Sequence, residues 1–231
     1  MKYLFEAMTA AEWQGTHPLP AQPAWMACHF SPYGLGLSNL PKALPEGAVI
    51  LLSDRIPPGG HDAQVVVAQL EELVQQFQPK AIVLDLETAG NGFCRELAVK
   101  CSGISGAEIT VAAAYAKDLP CSVFVGAGAL WTPAEKLLKP WQGRKLWVEA
   151  VLQRGLVTVT DQGAGYEELP WEPPEEELPV DEDLQVAYRI RQTKDAVEVM
   201  LWRGKEQLPK WMEKLEQLGV EGFLGLYQQL R

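Results

Sequence analysis

The stretch AIVLDLETAG, residues 81–90, runs through four apolar residues into two acids spaced one residue apart, Asp85 and Glu87. Strand side chains alternate between faces, so Val83, Asp85 and Glu87 share one face. Alternate Cα atoms on a strand lie about 6.5–7 Å apart. Two carboxyl groups at that spacing, one deeper and one at the rim, meet different surroundings. The deeper acid feels neighbouring charge and hydrogen bonds, and the outer one can be kept protonated by desolvation. Acid-assisted cleavage of a glycosidic bond requires that division of roles. The duller reading is that the pair ends a strand, bonding loop amides or pairing with Arg55.

These acids need elements to hold them. Eight apolar runs lie along the chain: 24–30, 48–54, 81–87, 108–115, 121–128, 145–152, 196–202 and 221–227. The first three and last two are nearly continuously apolar, as strands covered on both faces should be. Between them, residues 61–77 carry apolar positions 66, 67, 70, 73, 74 and 77, an amphipathic helix with Asp62 as its cap. Residues 92–101 and 205–219 repeat the pattern, and Gly219 supplies a stop. Strand–helix alternation with eight strands predicts an α/β fold, a somewhat degenerate (β/α)8 TIM-like barrel. By this count Asp85 and Glu87 end the third strand. Residues 152–195 read as an antiparallel β insertion, because 156–161 and 184–192 alternate or carry β-branched residues. The expectation is one domain over 1–231.

A parallel barrel carries chemistry at the C-terminal ends of its strands. That rule sends His29 with Ser31 and Tyr33, Asp54 with Arg55, Tyr115, Glu149, Trp202 with Arg203, and Tyr227 with Gln228 to the mouth. Asp85 and Glu87 are the catalytic candidates; His29, Tyr33, Asp54, Tyr115, Glu149, Trp202 and Tyr227 are the substrate-binding candidates. His29 in an apolar strand reads either as a satisfied core histidine or as a base. Glu149, inside LWVEAVL, is a hydrogen-bonded strut or a site carboxylate. Trp131, Trp141, Trp147 and Trp171 fall where a mouth would be lined, and indoles suit sugar rings; ordinary packing claims at least half of the tryptophans.

Composition excludes several classes. The net charge of −10 leaves no basic footprint for a nucleic-acid backbone. Nine carboxylates, no cation and four prolines crowd residues 167–183, a solvated acidic loop. The N-terminus has no leader-like apolar core, and no window approaches the ~18 apolar residues of a membrane span. Cys28, Cys94, Cys101 and Cys121 form no CxxC pair and read as reduced thiols of a cytoplasmic protein. His17, His29 and His61 lack zinc spacing. Rim acids could hold a hard cation, but no coordination pattern is fixed. The glycine-rich stretches at 126 and 163 match no phosphate loop, so no cofactor is expected. The oligomeric state is open.

LDLE at a barrel strand's end resembles the tail of the D-x-x-D-x-D-x-E signature of chitinase-like family 18 glycoside hydrolases. The resemblance implies a fourth-strand position, Glu87 as proton donor, and Asp85 orienting the substrate acetamido group that acts as internal nucleophile. It implies a carbohydrate ligand with N-acetyl groups. The two earlier signature acids are Lys80 and Val83 here. With its ACHFSPYG start and KPWQGRKLWVEA middle, the whole chain resembles a small bacterial family without an assigned activity. Two functions follow: a hydrolase of N-acetylated glycans, or a non-catalytic barrel that binds a glycan or a protein.

Overall fold

Eight parallel strands close into a barrel in the computed structural model, which describes residues 3–231. Met1 and Lys2, the start of the N-terminal stretch read above, lie outside the described residues. In chain order the strands are β1 (Leu4–Met8), β2 (Pro23–Phe30), the short β3 (Leu37–Ser38), β4 (Val49–Ser53), β5 (Ala81–Asp85), β6 (Glu108–Ala112), β7 (Ser122–Val125) and β8 (Leu146–Glu149). Next come β9 (Gln153–Thr160), β10 (Gly163–Leu169), β11 (Val180–Asp181), β12 (Val186–Gln192), β13 (Val197–Arg203) and β14 (Val220–Leu226). The barrel order is β1-β14-β8-β7-β6-β5-β4-β2, and pairing of β1 with β2 closes the ring. β3 lies antiparallel on β2.

Two strands differ from the sequence expectation. Leu4–Met8 was not expected as a strand, because Glu6 interrupts a five-residue run. Phe5 and Ala7 nevertheless pack inward, and β1 becomes the first barrel strand. The run at 196–202 instead joins β12 and β9 in antiparallel pairing. The eight barrel strands are therefore β1, β2, β4, β5, β6, β7, β8 and β14. Asp85 ends the fourth of them, not the third.

Phe5, Ala7, Ala24, Val49, Leu51, Ala81, Val83, Phe124, Trp147 and Leu224 form one core cluster of alternating strand positions. Trp147 dominates it: only 2 % exposed, it stacks on Phe5 at 5.3 Å and donates its indole N–H to Glu108 Oε1 at 3.1 Å. The same oxygen accepts from Ser122 Oγ at 2.6 Å, so Glu108 is a satisfied polar strut. Gly222 leaves room for the indole, since a Cβ there would stand 2.7 Å from Trp147 Cδ2. Gly222→Ala is expected to destabilise the chain by about 1–3 kcal/mol through overpacking, read as a lowered urea midpoint with an unchanged slope.

The helices are α1 (Ala10–Gly15), α2 (Ala63–Phe77), α3 (Gly92–Cys101), α4 (Ala113–Ala116), α5 (Ala134–Leu138), α6 (Gln207–Gln217) and α7 (Tyr227–Leu230). α2 starts where Asp62 accepts from the Gln64 amide at 2.8 Å and buries Val66, Val67, Leu70, Leu73 and Val74. Asn91 caps α3 by accepting from the Phe93 and Cys94 amides. Among the described residues no helix is long and apolar enough to cross a membrane. All four cysteines are free.

The chain packs as two compact units. The barrel unit runs up to Gly126 and adds Gly143–Glu149 and Glu221–Arg231; Ala127–Gln142 and Ala150–Val220 make the second. The second unit holds an antiparallel sheet ordered β10-β9-β13-β12-β11, with a core of Leu130, Val157, Val186 and Leu201. The acidic stretch 167–183 begins in β10 and ends past β11. Between those strands it is tied by Arg154 to Glu172 and, at 2.9 Å, by Arg189 to Glu176.

Candidate functional site

Val83 packs in the barrel core, so alternation turns Asp85, two residues later, inward at the C-terminal end of β5. Trp147 does the same for Glu149 at the end of β8. The barrel order separates these two strands by β6 and β7, so the acids approach from different sides of the ring. Burial pushes the Asp85 carboxyl up to about 7, with further elevation from the charges of Glu87, Glu149 and Asp54. The structure thus brings four predicted acids into electrostatic reach of one another. A carboxyl that binds a proton near neutrality can donate a hydrogen bond or serve proton transfer.

Glu87 is exposed, one residue past the buried Leu86, so desolvation falls on the deeper acid, Asp85, and not on the outer one as expected from the spacing. The Glu87 main chain is held by Asp54, which is only 4 % exposed. Asp54 Oδ1 accepts from the Glu87 amide and Oδ2 from the Thr88 amide, each at 2.9 Å. The Asp54 amide itself donates to the Asp85 carbonyl at 3.4 Å. The loop amides after β5 are therefore bonded by Asp54. Tyr115 holds the far end of the same turn: its hydroxyl accepts from the Asn91 amide at 3.1 Å and donates to the Thr88 carbonyl. Asn91 went unnoticed in the sequence, and Cys94 was read there only as a reduced thiol. Asn91 followed by Gly at a helix start was a legible cap, whereas the approach of Cys94 Sγ to Asp54 Oδ2, at 3.9 Å, depends on tertiary packing.

His29 shares a register row with Ser53 and Asp85 across β2, β4 and β5. It is half-buried, and its Nδ1–H donates to the Ala27 carbonyl at 2.8 Å. Tyr33 stands almost wholly in solvent on the turn after β2. Tyr227 opens α7 just past β14, with the Arg231 guanidinium 5.2 Å over its ring. Trp202 belongs to the second unit, buried, its indole N–H donated to the Glu172 carbonyl at 3.1 Å. Of the tryptophans expected as platforms, Trp147 is barrel core, Trp131 stacks on Tyr166 in the second unit, and Trp171 lines a cavity of about 620 Å³ there. Among the described residues no group of three His, Cys, Asp or Glu side chains is arranged to hold a metal ion.

No family model matches the chain, and no curated protein matches it by sequence. Solved structures do. A chitinase-like agglutinin from Robinia pseudoacacia superposes with a TM-score of 0.59 at 10 % identity, covering 98 % of this chain and 95 % of that one. A GH18 chitinase from Cycas revoluta, solved in complex with (GlcNAc)4, gives 0.59 at 9 % identity with the same coverage, 98 % and 95 %. The Bacillus megaterium spore cortex-lytic enzyme SleL gives 0.55 at 8 % identity, covering 97 % of this chain and 70 % of that one. At such identities the likeness shows a fold alone: this chain has the TIM-barrel fold of those structures.

Proposed function

We propose that the chain binds an N-acetylated glycan at its barrel mouth and cleaves a glycosidic bond there with acid assistance. The observation that carries this reading is the position of Asp85 at the end of the fourth barrel strand, with Glu87 two residues past it in the loop and Glu149 acting on Asp85 from β8. In the proposed reaction Glu87 gives its proton to the leaving oxygen as the bond to the anomeric carbon breaks. The substrate's own acetamido oxygen bonds to that carbon, and Asp85 accepts a hydrogen bond from the acetamido N–H. Water then attacks the anomeric carbon, the bond from that carbon to the acetamido oxygen breaks, and the water gives a proton back to Glu87. Burial, with the charges of Glu87, Glu149 and Asp54, raises the Asp85 carboxyl. The agglutinin and chitinase relatives in fold make a glycan the natural ligand to test.

A second reading is a barrel that binds a glycan without turnover. Lys80 and Val83 favour it, because they stand where the resembled signature has its first two acids, and Val83 is fully buried core. Incubating the chain with (GlcNAc)4 and peptidoglycan fragments, with products followed by chromatography and binding by calorimetry, separates the two. Shorter oligomers are the expected result. Binding without cleavage supports the second reading, and neither binding nor cleavage overturns both.

A further inference from the structure

We propose that Asp54 is a positioning residue, a buried carboxylate that sets the turn after β5 and so fixes where the Glu87 carboxyl stands. This rests on the hydrolase reading for its consequence, but on its own geometry for its existence. Asp54 follows Ser53, which faces inward with Val49 and Leu51; alternation therefore turns Asp54 out of the barrel lumen, away from a glycan. Both its oxygens are engaged, one by the amide of the candidate acid itself and one by the next residue. A carboxylate accepting two amides is a directional clamp, because charge-assisted bonds are short and oriented. The Asp54 amide reaches back to the Asp85 carbonyl, so one residue spans both catalytic candidates.

The turn is pinned at its other end as well. Tyr115 engages Thr88 and Asn91, and Asn91 in turn starts α3. Leu86, 1 % exposed, anchors the segment between the two acids. Within this fixed frame the Glu87 side chain reaches solvent at the mouth. Asp54 and Tyr115, expected from the sequence to touch substrate, act through the turn in this account.

The test compares the full chain with Asp54→Asn and Tyr115→Phe. Asparagine keeps the size but offers one accepting oxygen, so one of the two amides loses its partner. Expected for Asp54→Asn are displaced Glu87 and Thr88 amide signals in a ¹H–¹⁵N spectrum. Turnover of the N-acetylglucosamine oligomer should fall about 10- to 100-fold with KM within about twofold, since a small misplacement of an acid acts on the chemical step. Turnover within about twofold of wild type overturns the proposal. Should Asp54→Asn fail to fold, Tyr115→Phe decides: a matching fall in kcat supports the proposal and an unchanged kcat overturns it. A wild-type chain that leaves the oligomer uncut defeats the hydrolase reading alone. The clamp is then judged by the two amides, and unmoved signals in Asp54→Asn overturn it.

Discussion

Glu87→Gln is expected to lower kcat on the N-acetylglucosamine oligomer by about 10² or more while leaving the thermal midpoint within a degree or two. The substitution keeps shape and removes the transferable proton. It leaves the fold alone because the side chain is exposed and the anchoring contacts are to the Glu87 main chain, which glutamine retains. A second signature separates this loss from a binding defect. The Glu87 charge is one cause of the raised Asp85 value, so its removal moves the Asp85 carboxyl down towards the ordinary range. Residual activity should therefore show its acidic limb at lower pH. Full activity in Glu87→Gln would assign the proton to another group.

Asp85→Asn should stabilise the folded chain at neutral and alkaline pH and leave it nearly unchanged near pH 4. Asp85 is raised from 3.8 to about 7, so the folded state binds this proton more tightly than the unfolded state. Below the unfolded value both states are protonated, and the contribution is fully present. It is lost as pH rises from about 4 through about 7, because only the folded chain must then ionise a desolvated carboxyl beside other acids. At the half-buried mouth that amounts to about 2–4 kcal/mol. For a chain of this size the difference appears as a rise of about 5–10 °C in the melting midpoint at pH 8, scanned against wild type. Equal midpoints at both pH values would mean that Asp85 ionises freely. The cost fits a site in which function is maintained at the expense of stability.

Much of this barrel was legible in the sequence, and the exceptions have physical causes. Continuous apolar runs revealed β4 and β5 because strands covered on both faces need apolar residues throughout. β1 escaped because Glu6 interrupts it; in the fold that carboxylate leaves the core and binds Arg231 through both oxygens at 3.0 Å. That single strand shifted the count and set Asp85 on the fourth barrel strand. β13 misled in the opposite direction: VEVMLW is apolar enough for a barrel strand, but it pairs with β12 across a hairpin turn and with β9 from earlier in the chain. Local spacing gave the Asp85–Glu87 pair. What it could not give was Asp54 reaching 33 and 34 residues ahead to the loop amides, or Glu149 acting from β8. Those relations exist only once the ring has closed.

The most direct measurement is a ¹³C NMR titration of the Asp85 side-chain carboxyl in the intact chain, with Glu149→Gln beside it. A midpoint near 7 is the predicted result, falling when Glu149 loses its charge. A midpoint near the ordinary ~3.9 of an exposed aspartate, indifferent to Glu149, would contradict the convergence of acids at the mouth on which the functional account stands.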